Sequence, residues 1–480
     1  MGTVGSPAPP KNQTFSARRY NPFHAFTRRR IVWAVPILFT AFACLALVAL
    51  WDSEHPGRTR WFGTGGSNQV QLAVDPLDPS KSVNGLPTRS FRDNLRPEVQ
   101  YITSFGSGGW SNDVISIMNL IYLGLITERV PIIPVFLPSH TMLSTLNTEH
   151  TPLPFGDVFD LPHLRQAIGK PVLQWSDVKA SNSTVLDDLG CWNVWESIQY
   201  YDKAPRGSFA PWKLKLDISY TKTPDWIKMI PNFEHDRYSS FWNLAKLAFP
   251  STRSASLVPP LPSPKHNVSL PPDEHLLCYD FLYYVAAQQS EEIGLDYSRT
   301  VLPGDLSANT CDGPPEWNAW QRVHSADARR EVDEPVPPFV SVHVRHNDFR
   351  EWCEQGITAD ECFAPLPVIA RRVKEVQDEI RERKGIDVTR VIVTSDEKNR
   401  TWWGDVEDLG WFAPDHSRTQ ELYEDWYTIL IDAIIQSKGA GFVGTARSTV
   451  SVLSNKRVES WQDGSIRTVK WGEPGADDHP

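Results

Sequence analysis

The sequence predicts an α/β protein made of two Rossmann-like halves facing a shared cleft, preceded by one N-terminal transmembrane helix and a flexible stem. Three observations lead there. A strand, a glycine turn, a helix and a second strand follow one another over residues 99–136, the order of a βαβ unit. Strands and amphipathic helices alternate again over residues 339–443, which implies a second parallel sheet. Residues 31–51 form an uncharged apolar run, long enough as a helix to span about 31 Å, close to the hydrocarbon core of a bilayer.

At 480 residues, with 40% hydrophobic residues and 19 Trp, the chain can form two sizeable cores. Residues 1–30 carry Lys11, Arg18, Arg19, Arg28, Arg29 and Arg30 and no acidic residue, and read as a cytosolic tail. That basic flank puts the N-terminus inside and the bulk of the chain in a secretory lumen. A cleaved signal peptide would have an apolar region of only about 7–15 residues. The expected address is therefore a single-pass type II membrane protein of the Golgi or endoplasmic reticulum. Residues 52–96, rich in Gly, Ser, Pro and Asp, suit a stem. An N-terminal Rossmann-like domain is placed at 97–335 and a C-terminal one at 336–480. The net charge of −10 argues against a nucleic-acid partner, and any anion site must be local.

A lumenal address changes how cysteines are read. Cys44 falls in the apolar run, and Cys191, Cys278, Cys311, Cys353 and Cys362 show no C-x-x-C zinc pattern. Cys353 and Cys362 are the first choice for a bridge; the other three leave an odd thiol, with the pairing open. Sequons at Asn182, Asn267 and Asn399 agree with a lumenal address, although Asn12 has the pattern on the cytosolic side.

In the first half, a strand at 99–104 feeds F-G-S-G-G-W-S-N-D, and Gly106, Gly108 and Gly109 precede a helix at 112–127 with Val114, Ile117, Leu120, Ile121 and Leu125 on one face. A strand at 130–136 follows. Glycines at such a turn let a ligand approach backbone N–H groups at a positive helix N-terminus. The turn has no G-K-[ST] and lacks the third glycine of the dinucleotide fingerprint. Between 151 and 338 the pattern is poorer. Helices are expected at 238–248 and 274–288, acceptor-side loops elsewhere, and an exposed proline-rich excursion at 251–272.

In the second half, F-V-S-V-H-V at 339–344 reads as a buried strand that delivers His343, Arg345, His346, Asn347 and Asp348 at its end. Ligands of open α/β sheets bind beyond the carboxyl ends of strands, so Arg345 is placed to hold an anion. A helix at 366–384, a strand at 389–394 ending in Ser395, Asp396 and Glu397, a helix at 419–437 and a short strand at 441–443 follow, the last running into G-T-A-R-S-T-V-S. No D-x-D triplet occurs, which counts against a transferase holding its donor pyrophosphate through a divalent metal.

The runs H-V-R-H-N-D at 343–348, V-T-S-D-E at 393–397 and I-D-A-I-I-Q-S-K-G-A-G-F-V-G-T-A-R-S-T-V-S at 431–451 resemble, in order and spacing, the three nucleotide-binding motifs of the GDP-fucose protein O-fucosyltransferase superfamily, here a fungal-type member. The loop Gly106 to Asn112 resembles that superfamily's first-domain loop. The resemblance implies a GT-B fold and a metal-independent fucosyltransferase with no cofactor beyond its GDP-fucose donor. Arg345 would be catalytic, holding the β-phosphate and neutralising the leaving group. Gly108, Gly109, Asn112, His343, Asp348, Ser448 and Thr449 would complete the donor site, and Asp396 or Asp432 would accept the N1–H and N2–H groups of guanine. Some members place a Glu in the glycine loop as general base; here Gly106, Ser107 and Gly108 stand there, with Asp113 the nearest acid. Another nucleotide sugar, another acceptor such as a polysaccharide, or a non-catalytic membrane-anchored glycan-binding protein are the alternatives.

Overall fold

The computed structural model describes residues 77–137, 152–198, 204–227, 241–283, 336–423 and 426–478, all within one compact unit, Ala73–Pro480. The tail, the apolar run and residues 52–76 of the stem lie outside them. Among the described residues no helix is long and apolar enough to cross a membrane.

Two parallel sheets organise the unit. The first has six strands: β1 Tyr101–Ser104, β2 Val130–Ile133, β3 Leu173–Gln174, β4 Asp187–Asn193, β5 Leu216–Lys222 and β6 Leu276–Tyr279, in the order β3-β2-β1-β6-β4-β5. The second has four: β7 Phe339–Val344, β8 Arg390–Ser395, β9 Gly441–Thr445 and β10 Ser465–Val469, in the order β10-β9-β7-β8. Every ladder among them is parallel. The second order reverses direction once, at β7/β9; in the first, the run β3-β2-β1 gives way at β1/β6 to β6-β4-β5. Ligand crevices of open α/β sheets form at such reversals, beyond the carboxyl ends of the strands.

Five helices matter for the site: α1 Trp110–Ile126, α2 Leu366–Lys384, α3 Arg400–Asp408, α4 Tyr427–Lys438 and α5 Thr449–Gln462. α2 is amphipathic, burying Ile369, Val373, Val376 and Ile380 against the second sheet, and it stops where Gly385 turns left-handed at φ 67° and donates its N–H to Arg381 O. α1 is buried nearly all round. Its Val114, Ile117 and Leu120 share one cluster with Trp426, Ala433 of α4 and Leu453 of α5, so α1 packs against both helices of the second half.

Three expectations are corrected. Residues 77–96 are not a loose stem. Phe91 and Leu95 are buried with Trp175 and Tyr101, and the Asp187 carboxylate gathers Ser90 Oγ (2.6 Å), Phe91 N (3.2 Å) and Lys179 Nζ (2.7 Å). The expected helix at 274–288 is, at its start, the central strand β6, buried along its whole length. The region read as acceptor-side loops supplies four of the six strands of the first sheet. D-D-L-G-C-W-N and L-D-I-S-Y-T-K are polar for buried strands, and their Asp187, Asp217 and Ser219 are satisfied by loop backbone and side chains. The proline-rich segment begins with a helix, Pro250–Ser256, and is otherwise largely exposed.

Cys353 and Cys362 are bridged, as are Cys191 and Cys278 on the adjacent strands β4 and β6. Cys311 lies outside the described residues.

Candidate active site

Two helix N-termini meet above the cleft. α1 starts straight after the glycine loop, its N-cap Gly109 supplying no side chain to its first N–H groups. α5 starts at Ser448, whose Oγ faces Ser451 N. Ser111 Oγ and Thr449 Oγ1, in the two first turns, are 2.8 Å apart. Further along α5, Arg457 stands 5.8 Å over the ring of Trp110. Free N–H groups and the positive ends of two helices therefore converge where the sheets meet.

The glycine loop is shaped by Asp113. Its Oδ1 accepts Gly108 N–H at 2.9 Å, and a Cβ on Gly106 would lie 2.6 Å from its carboxyl group. Burial pushes this carboxyl up to about 7, against hydrogen bonds from Gly108 and Ser107 and the charge of Arg206, which lower it. Turned into the loop backbone, Asp113 serves as the loop's brace and is not placed as a general base. Asn112 Oδ1 is buried without a hydrogen-bond partner among the described residues.

On the second sheet, His343 is buried on β7 with Nδ1 2.8 Å from Ser451 Oγ. That oxygen also accepts Thr445 N–H at 2.9 Å, so Ser451 links the end of β9 to the His343 ring. Burial, reinforced by the Arg345 charge, pushes His343 down to about 3 and keeps it neutral. Thr445 Oγ1 accepts Arg345 N–H at 3.0 Å and donates to His343 O at 2.9 Å, tying the end of β7 to the end of β9.

Arg345 reaches out from this knot. Its Nη2 is 2.7 Å from Asp348 Oδ1 and its Nη1 2.9 Å from Asp396 Oδ2, the latter an ion pair without hydrogen-bond alignment. Its guanidinium lies 5.7 Å over Phe349, which stacks on Trp471 at 4.9 Å. Asp396 Oδ1 also accepts His346 N–H, and His346 Nδ1 is 2.7 Å from Glu397 Oε2. Burial would raise Glu397, but N–H groups of Asn399 and Lys398 together with His346 hold it below the usual carboxylate range.

The expected residues therefore fall into two groups. Gly108, Gly109 and Asn112 lie at the end of β1 and the start of α1, and His343, Arg345, Ser448 and Thr449 at the ends of β7 and β9 and the start of α5. Asp348, in the 3₁₀ turn Asn347–Trp352, and Asp396, just past the end of β8, are both ion-paired with Arg345. Asp432 on α4 is 2.9 Å from His416 Nε2, which leaves one carboxylate oxygen for a ligand; burial raises its carboxyl and His416 partly offsets this.

Sequence reasoning missed Arg206 and Asp280. Buried Asp280, after β6, accepts the N–H groups of Val194, Trp195 and Arg206. The Arg206 guanidinium lies over Trp195 and Phe281 and donates to Ser107 Oγ and O, holding the glycine loop from outside. Neither sits in a periodic segment, so no local signal marked them. Ser451 and Thr445 lay within the G-T-A-R-S-T-V-S run and could have been found there.

Among the described residues, Asp188, Asp217 and His266 are grouped at metal-ligand spacing. Asp188 and Asp217 stand at the amino ends of β4 and β5, whereas Arg345 follows the carboxyl end of β7.

No protein-family model matches the chain, and no curated protein does. Among solved structures, it is similar to POFUT1 in complex with GDP-fucose, at 13% identity and TM-score 0.41 over 79% of this chain and 99% of that one. The POFUT1 apo-form gives 13% and 0.43 over 79% and 99%. An arginine-to-lysine mutant of Arabidopsis thaliana FUT1 in complex with GDP gives 9% and 0.30 over 78% and 70%. At these scores the likeness carries no argument, and none of the names speaks to a fungal-type member; the α/β fold stands on its own parallel strands.

Proposed function

We propose that the chain is a GT-B-type, metal-independent glycosyltransferase that moves fucose from GDP-fucose to a hydroxyl of a protein or glycan acceptor, as a type II membrane protein facing a secretory lumen. The observation that carries this reading is Arg345 at the β7/β9 reversal, beside two uncapped or hydroxyl-capped helix N-termini joined through Ser111 and Thr449. Such a place offers an anion a planar forked cation and free N–H groups with no ion needed. In the reaction the bond between fucose C1 and the β-phosphate oxygen breaks, and GDP leaves with the electron pair. The acceptor oxygen bonds C1 and gives up its proton. Arg345, with Ser448, Thr449 and the N–H groups of α5, would match the charge that grows on the phosphate. Neutral His343 holds the β7–β9 floor, and Asp432 keeps one oxygen for a base edge.

The same scaffold with a different nucleotide sugar is favoured by one observation: both carboxylates expected to read guanine, Asp396 and Asp432, already have partners. Turnover of GDP-fucose, GDP-mannose and UDP-sugars by the purified full chain, with chelator present, separates the two. Release of GDP from GDP-fucose alone supports the first reading. Release from another donor supports the second, and release from none refutes both.

A further inference from the structure

A cavity of about 530 Å³ opens on the outer side of the Arg345 turn. Its wall is aromatic: His346 stacks on Phe363 at 4.4 Å and meets Trp402 edge-on at 5.7 Å. Its mouth carries charged groups with nothing to do. Among the described residues, Asp405 and the Arg350 side chain have no hydrogen-bond or ionic partner. An apolar wall of rings with charged groups at the rim is the chemistry of a sugar site, since a pyranose offers an apolar C–H face and hydroxyls that both donate and accept.

Asn399 stands on the same rim. It heads the sequon Asn399-Arg400-Thr401, is exposed, and lies in extended backbone between β8 and α3. Its Oδ1 caps α3 by accepting Thr401 N–H at 2.9 Å, while Nδ2 has no partner among the described residues. The two ends of the amide are thus divided between tasks. A sugar on Nδ2 would leave the cap intact.

We propose that Asn399 carries an N-linked glycan whose first N-acetylglucosamine seats in this cavity, against Trp402 and within reach of Asp405 and Arg350. The inference rests on the lumenal address proposed above. The modification forms the bond from Nδ2 to sugar C1 as the bond from C1 to a lipid-linked diphosphate breaks. The diphosphate leaves with the electron pair, and Nδ2 loses one proton. The seated sugar covers the back of the His346–Glu397 pair and so stiffens the turn that aims Arg345.

Asn182 and Asn267 provide the internal comparison, both being exposed sequon positions that do not line this cavity. The full chain is made in a eukaryotic secretory host and its glycopeptides are mapped by mass spectrometry. The folded protein is then treated with an amidase that releases N-glycans. Asn399 should be occupied, and its glycan should be released about tenfold more slowly than those at Asn182 and Asn267. Trp402→Ala and, at the exposed rim where folding is not at risk, Asp405→Ala should each remove that delay without lowering occupancy. A bare Asn399 beside glycosylated Asn182 and Asn267 overturns the inference, as does release at equal rates. If all three are bare, the lumenal address falls with it.

Discussion

The hydroxyls of Ser111 and Thr449 lie 2.8 Å apart, joining the first turn of α1 to the first turn of α5. Each helix follows a strand next to its sheet's reversal point, so this one contact brings both switch points to a common place. It also fixes the spacing of the two sets of free N–H groups that an entering diphosphate would meet.

Removing that contact should loosen the anion site more than the fold. Thr449→Val and Ser111→Ala each delete a neutral hydrogen bond worth about 1 kcal/mol. Affinity for GDP should fall roughly fivefold, with little change in the thermal midpoint. An unchanged affinity in both variants would remove this contact from the site.

Arg345 is held by Asp348 before any ligand arrives, and Asp348 is more than half exposed. A phosphate must displace or share that carboxylate. Asp348→Asn should therefore strengthen GDP binding about two- to fivefold, the size of an exposed ion pair. Asp396→Ala should weaken it instead, because Asp396 also takes His346 N–H and orients the turn, and alanine offers no acceptor. Calorimetry reads both, and weaker binding by Asp348→Asn would mean that it acts as a direct ligand.

The Cys353–Cys362 bridge closes a nine-residue separation next to the Arg345 turn. In the chain-entropy model it contributes about 2.5–3 kcal/mol. The Cys191–Cys278 bridge spans 87 residues and contributes about 4–5 kcal/mol. Non-reducing peptide maps should recover both pairs. Cys191→Ala with Cys278→Ala should lower stability more than the corresponding change at 353 and 362, and the reverse order would contradict the assignment.

Asp113 and Asp280 are both raised by burial to about 7. Between the unfolded carboxylate value, about 3.9, and about 7, the folded chain binds more protons at these groups than the unfolded chain does. Their contribution to stability is full below that window and is lost as pH rises through about 7. His343, pushed down to about 3, works the other way, but its gain is complete once the unfolded histidine has lost its proton near 6.5. Urea midpoints should therefore fall from pH 6.5 to pH 8. Asp113→Asn should reduce that slope, and an unchanged slope would show that Asp113 does not titrate there.

Residues that alternate or repeat regularly were legible in the sequence. β1, α1, β7, the helix at 366–384 and β8 were read close to their ends, because apolar positions there recur at a strand's or a helix's period; the helix expected at 419–437 is two, Thr419–Tyr423 and Tyr427–Lys438, and α3 was not read. Arg345, Ser448 and Thr449 were legible because they follow strands directly. β4, β5 and β6 were not. β4 buries Asp187, Asn193 and Trp192 together, a pattern that is apolar only once the loops that satisfy the polar groups are in place. The pairing of Asp348 and Asp396 with Arg345 was not legible for a related reason. Their carboxylates lie in the right neighbourhood, but whether they face a base or an arginine is a matter of side-chain direction, which spacing does not encode.

The central claim is that Arg345 holds the donor's β-phosphate in a site that needs no metal. It is tested by titrating GDP into the full chain and into Arg345→Ala and Arg345→Lys with chelator present, followed by turnover of GDP-fucose at saturating donor. Losing one partner of a close charge pair costs roughly 2–5 kcal/mol, so Ala should lower turnover about 30-fold to several thousand-fold, with Lys in between because it keeps the charge but not the fork. Much of the loss should appear in kcat, since the contact strengthens as the phosphate leaves. An Arg345→Ala protein that binds GDP and turns over GDP-fucose like the parent would contradict the account, as would a parent that binds GDP only when a divalent ion is restored.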